Sequence, residues 1–148
     1  MRRIPSALMV LVASASLVHA QDVAPEVGQR VVTKPHTLLR VGRQVVDDDS
    51  VFRVYTVKQV NGDWLWLVAD SVSGWVRSGS VVAFDRAIDY FTQQIQAGPE
   101  SADLYYYSRG LIWKAKGETD IAISDFSDVI RLDPEAAGAF VSRGNAWY

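Results

Sequence analysis

The sequence predicts two modules in series: a small closed β-barrel over residues 27–84, then a solenoid of antiparallel helical hairpins over residues 85–148. Three observations predict this. Up to Phe84, apolar residues recur at every second position in short runs broken by turn residues, as in strands with one buried face. Beyond Phe84 the spacing becomes that of one helix face, i, i+1, i+4 and i+8. Finally SRGLIW at Ser108–Trp113 returns as SRGNAW at Ser142–Trp147, 34 residues later. One helical unit is written twice.

In the first module the strand candidates are Val31-Val32, Leu38–Val41, Val45-Val46, Phe52–Val57, Trp64–Val68 and Trp75-Val76. Turn signals part them at Lys34-Pro35, Val41-Gly42, Asp47–Ser50, Asn61-Gly62-Asp63 and Ser73-Gly74. Asn61-Gly62 predicts a type I′ hairpin, which needs positive φ at both central residues. Alternation puts Phe52 and Val54 on one face and Arg53, Tyr55 and Val57 on the other. Closing such short strands into a barrel leaves no bare edge. Trp64, Trp66 and Trp75 read as the barrel core, a ligand groove being the alternative. Because Trp64 and Trp66 share a face opposite Leu65 and Leu67, one pair is core and the other is partly exposed or covered by the next module.

The stretch GDWLWLVADSVSGWV, residues 62–76, resembles the second half of a bacterial SH3-like domain. There a Trp-containing strand follows a tight turn, and Gly74-Trp75-Val76 matches the strand that closes the barrel. The early Asn-Val-Arg-x-Gly-Pro pattern of that family is replaced here by LLRVGRQVV, which puts a carried-over cell-wall ligand in question.

In the second module a lone helix spans 85–97, with Ala87, Ile88, Phe91 and Ile95 on one face, and Pro99 ends it. A second helix runs from Asp103 to Lys116 with Gly117 as its stop. A third, capped by Thr119 or Asp120, ends at Asp133-Pro134, and a fourth occupies 137–148. AIDYFTQQIQAGPE (87–100) and AISDFSDVIRLDPE (122–135) agree at Ala, Ile, Phe, Ile, Pro and Glu, 35 residues apart. Gly110 and Ala122 are small enough to let two helices approach closely, with Tyr106, Trp113 and Phe126 filling the flanks. Arg109 stands where an apolar residue is usual. Its stem is expected to pack and its head to reach solvent or a carboxylate, with Asp125 as the candidate partner.

This pattern is similar to the tetratricopeptide repeat. Tyr106 takes its first aromatic position, Arg109-Gly110 its Leu-Gly pair and Trp113 its Tyr. Ala122, Phe126 and Pro134 follow at the matching offsets, and Gly144 and Trp147 begin a second copy. The resemblance implies a full repeat over 103–135 and a truncated one over 137–148. It also implies that the first helix of each pair lines a concave face that binds a peptide. The residues so placed are Leu104, Tyr107, Leu111, Lys114, Val141 and Asn145. Only Asn145 matches the family's carboxylate clamp, and Tyr107 stands where a clamp Lys would be. An aromatic-lined groove for an extended or helical apolar segment is therefore expected.

Composition excludes several function classes. With net charge −2 and no cluster of basic residues, no nucleic-acid footprint is present. The absence of cysteine excludes thiol catalysis, a disulfide scaffold and a lipid-modified lipoprotein. His36 is the lone histidine beyond the leader and reads as a surface loop residue. Asp47–Ser50 reads as a solvated turn rather than a Ca²⁺ loop. Asp120 suits a helix N-terminus, while Asp125, Asp128 and Asp133 read as a wet face. No metal or cofactor is expected. MRRIPSALMVLVASASLVHA, residues 1–20, has the layout of a secretory signal peptide cleaved after Ala20; an uncleaved anchor is the alternative. Its apolar run, Ala7–Val18, is shorter than the roughly 20 residues that span a bilayer. The chain is expected to be exported to a bacterial periplasm or beyond, with no integral span after cleavage. Its expected function is that of a non-catalytic scaffold for a protein or peptide partner, the alternative being an accessory module that docks on peptidoglycan. Trp147 and Tyr148 end an apolar helix with nothing following to cover them, which predicts a longer gene product.

Overall fold

The computed structural model describes residues 24–47 and 52–148; the leader at 1–20 and the turn residues Asp48–Ser50 lie outside them. Seven strands precede four helices: β1 (Arg30–Thr33), β2 (Leu39–Val41), β3 (Gln44–Asp47), β4 (Tyr55–Asn61), β5 (Trp64–Ala69), β6 (Val72–Arg77) and β7 (Val81–Ala83). All belong to one antiparallel sheet in the order β3-β2-β6-β5-β4-β1-β7. After a short 3-10 turn come α1 (Ala87–Gln96), α2 (Ala102–Ala115), α3 (Thr119–Leu132) and α4 (Ala137–Ala146).

This corrects the expected architecture. A seven-stranded sheet is larger than the small SH3-like barrel expected, and the four helices do not make a tetratricopeptide solenoid. The physical reason lies in the Val31-Val32 and Val81-Val82 doublets on the paired strands β1 and β7. Val31 and Val81 face a core of Leu39, Tyr55, Val57, Leu65, Leu67 and Val76. Val32 and Val82 face the other way, into a core shared with Phe84, Ala87, Phe91 and Ile112. A sheet buried on both faces reads as a continuous apolar run rather than an alternating one. The first helices are thus built onto the sheet.

Local chemistry explains the connections. Asn61 pairs with Trp64 across the β4–β5 hairpin, leaving Gly62-Asp63 as the two-residue loop with positive φ at Gly62 (+56°). Positive φ at the first central residue alone is the requirement of a type II′ turn, not the expected I′. Ser73-Gly74, expected as a turn, lies inside β6; the bend falls at Asp70, φ +49°. Gly74 has a packing role. A Cβ there would lie 2.9 Å from Val46 Cγ2 and 3.1 Å from Leu39 Cβ, so only glycine lets β2 and β3 close over β6.

The helices end as their residues dictate. Gly117 N–H donates to Lys114 C=O and Glu118 N–H to Trp113 C=O, the paired bonds of a Schellman cap. Asp133 before Pro134 is extended, because proline disfavours the helical region for its predecessor. Glu118, rather than Thr119 or Asp120, holds the N-cap of α3 and makes no side-chain cap bond.

Where α2 crosses α3, a Cβ on Gly110 would meet Phe126 Cε1 at 2.8 Å and Asp125 Cβ at 3.2 Å. Gly144, the repeated glycine on α4, has nothing within 4 Å. Gly110→Val is expected to cost about 1–3 kcal/mol through overpacking. Gly144→Val should change stability by less than about 1 kcal/mol. Urea midpoints of the two variants check this; equal shifts would contradict it.

Candidate peptide-docking cleft

A cleft of about 60 Å³ opens between β1 with its following turn and α2. Val32, Pro35, Phe52, Leu111 and Ile112 supply apolar wall, and the buried ring of Phe91 on α1 contributes beside them. Thr33, Lys34, Tyr107 and Ser108 supply the polar groups. The β1 turn is pinned: Lys34 N–H donates to Ser80 C=O at 2.9 Å, and Thr37 Oγ1 lies 2.7 Å from Lys34 C=O. Tyr107 is held from the other side, its hydroxyl 3.2 Å from Ser142 Oγ on α4 and its ring 5.9 Å from that of Phe126. Small-molecule sites usually run to roughly 300–1,000 Å³. This cleft has room for a side chain rather than a whole ligand.

Of the residues expected on a concave face, the cleft brings together Tyr107 and Leu111 only. Leu104 is half-buried on α2, Lys114 is exposed near its end, and Val141 and Asn145 are exposed on α4. The contributions of Val32, Phe52 and Phe91 were not foreseen as a site. Each lies in an apolar run, and nothing local to those runs shows that β1 and α2 meet.

The signature residues Ala122, Phe126 and Trp113 pack in one cluster with Leu111 and Ala146. Gly110 sits under the Phe126 ring and Tyr106 lies under the Arg109 guanidinium at 5.4 Å. Pro134 is exposed beyond α3, and Gly144 and Trp147 are exposed at the end of α4. As the spacing predicts, Arg109 meets Asp125: Nε donates to Oδ2 at 2.9 Å and Nη2 to Oδ1 at 2.7 Å. Asp125 is therefore buried rather than part of a wet face. These bonds hold the Arg109 guanidinium still further into its charged range.

Trp64, Trp66 and Trp75 are not the core. Leu65, Leu67 and Val76 are buried, and the indoles point the opposite way. Trp66 pairs with Trp75 across β5 and β6, ring centroids 5.3 Å apart and edge to face. Trp64 is 38% exposed and carries the Arg77 guanidinium 4.3 Å over its ring. Arg40 pairs with Trp75 from β2. The outer face of the sheet is thus an aromatic and basic platform.

A polar staple joins β3 to β4. Asp47, read as part of a solvated turn, is buried. Its Oδ2 accepts from Arg53 Nη1 at 2.8 Å and from the buried Tyr55 hydroxyl. Burial, reinforced by donation to the Asp47 carboxylate, holds the Tyr55 hydroxyl well above the usual tyrosine range. A group whose folded pKa is raised stabilises fully below its unfolded pKa, near 10 for tyrosine, and loses that contribution as pH rises beyond it. Stability should fall progressively above about pH 10 and fall less in Tyr55→Phe. That variant should also lose about 1.5–3 kcal/mol at pH 7, the worth of a bond to a charged group. Denaturant midpoints between pH 7 and 12 check both.

Among the described residues no group of three or more His, Cys, Asp or Glu could hold a metal ion, and no helix is long and apolar enough to cross a membrane. No protein-family model, curated protein or solved structure matches this chain.

Proposed function

We propose that the chain is a non-catalytic interaction module that holds a protein partner by inserting one apolar side chain of its extended or helical segment into the β1–α2 cleft. The residues at 1–20 would direct it to the bacterial envelope space. One observation carries the reading: a small apolar cleft whose two walls are preset by the Lys34 turn and the Tyr107–Ser142 contact. Rigid walls spare the ordering cost that weakens binding to mobile surfaces. Selection of displayed random peptides on the protein should yield sequences sharing a single large apolar anchor. Leu111→Ala and Phe52→Ala should each weaken the selected peptide about tenfold, as for a central anchor contact. Enriched peptides that bind both variants unchanged, or no enrichment at all, would sink the proposal.

A second reading, docking on cell-wall polysaccharide, is favoured by the Trp64/Trp66/Trp75 platform with Arg77 and Arg40 beside it. Sugar rings stack on such faces. Co-sedimentation with purified peptidoglycan that Trp66→Ala leaves unaltered would remove it, and hydrolysis of the polymer by the protein alone would remove both readings.

A further inference from the structure

Helix α4 carries a copy of the face with which α2 holds α3. On α2 the stripe is Tyr106, Gly110 and Trp113, at i, i+4 and i+7, with Arg109 beside it. The Arg109 guanidinium lies 5.4 Å over the Tyr106 ring, and its Nη1 donates to Thr92 Oγ1 of the preceding helix α1 at 2.9 Å. Its Nε and Nη2 are left for the following helix, where Asp125 takes both. Phe126 then lies on Gly110, where the missing Cβ makes room for its ring.

On α4 the stripe is Phe140, Gly144 and Trp147, with Arg143 beside it. The half of the arrangement that uses the preceding helix is reproduced. The Arg143 guanidinium lies 5.6 Å over the Phe140 ring, and its Nη1 lies 3.4 Å from Ser127 Oγ of α3. The other half has no counterpart. Among the described residues Arg143 forms no ion pair, and a Cβ on Gly144 would have nothing within 4 Å. Phe140, Val141 and Trp147 are 45%, 61% and 73% exposed.

We infer that this α4 face docks an amphipathic helix of a partner protein bearing the pattern that α3 presents to α2: a small residue, then three positions on an aspartate, followed directly by a large aromatic. The aspartate is dictated by charge, since Arg143 is held by Phe140 and Ser127 as Arg109 is held by Tyr106 and Thr92. The aromatic is dictated by shape, since Gly144 leaves a ring-sized step in the stripe. Arg favours a carboxylate here because its planar fork binds both oxygens at once. This face shares no residue with the β1–α2 cleft, and its test does not depend on that site.

The probe is a fluorescein-labelled peptide of residues 118–135, ETDIAISDFSDVIRLDPE, titrated into the full chain. Saturable binding is expected. Arg143→Ala in the protein, or Asp125→Ala in the peptide, should weaken it at least about tenfold, the range for breaking a charged, hydrogen-bonded pair. Gly144→Leu should abolish it without lowering the thermal midpoint, and Phe52→Ala in the cleft should leave it unchanged. Absence of binding would overturn the inference. So would binding indifferent to both Arg143→Ala and Gly144→Leu, which would mean that the peptide displaces α3 from α2. Self-association of the chain that those two variants abolish would also overturn it, making a second copy the occupant.

Discussion

Arg109→Ala is expected to lower the free energy of unfolding by about 3–5 kcal/mol, the range for stripping one partner from a buried ion pair. Asp125 is almost fully buried, and both its oxygens accept from Arg109. Without the guanidinium a carboxylate would stay inside with no opposite charge. The arginine also bridges α1 to α3 through Thr92, so three helices lose a common tie. Since domains are stable by only about 5–15 kcal/mol, the loss should be plain in a urea titration. The double replacement Arg109→Met with Asp125→Leu should restore most of it, because an apolar pair of similar volume needs no desolvation. If the double variant is as unstable as the single one, the stranded Asp125 charge is not what destabilises Arg109→Ala.

Phe91→Ala should cost a similar amount, about 3–5 kcal/mol, the range for emptying an aromatic site in a core. Its ring is fully buried and sits in a cluster that joins β1 and β7 to α1 and α2. It packs edge-on against Tyr90 at 5.1 Å and tilted against Tyr105 at 6.2 Å. Because that cluster is shared, sheet and helices should unfold together. In a background carrying Trp113→Phe and Trp147→Phe, the fluorescence of the sheet tryptophans and the helical circular dichroism should shift to the same lower midpoint. A helical transition that moves alone would show two independently folding units. The ring also contributes to the cleft, so the variant should bind selected peptides less well even where it is fully folded.

The Arg109–Asp125 pair and the extents of the helices were legible because they depend on residues close in the chain. Helix faces follow from 3.6-residue spacing, and Gly117 marks a stop through its φ alone. The orientation of β5 was not legible. Alternation places Trp64 and Trp66 opposite Leu65 and Leu67, and it is silent about which pair is inside. The choice is made by Gly74, which pairs with Leu67 and on which a Cβ would lie 2.9 Å from Val46 Cγ2 and 3.1 Å from Leu39 Cβ. A space that tight admits leucine and valine and leaves indole rings outside.

The same limit governs the sites. By itself the sequence determined six of the seven short strands, β7 excepted, the four helices, the repeated stripe on α2 and α4, and the charged partner of Arg109. All of these are set by spacing along the chain and by the chemistry of near neighbours. Only the tertiary structure decided that β7 returns to β1 to make one seven-stranded sheet, that helices pack on its Val32 side, and that β1 and α2 face each other across a cleft. Those outcomes depend on which apolar surfaces, far apart in sequence, exclude water best together, and burial of that kind leaves no mark in any local pattern.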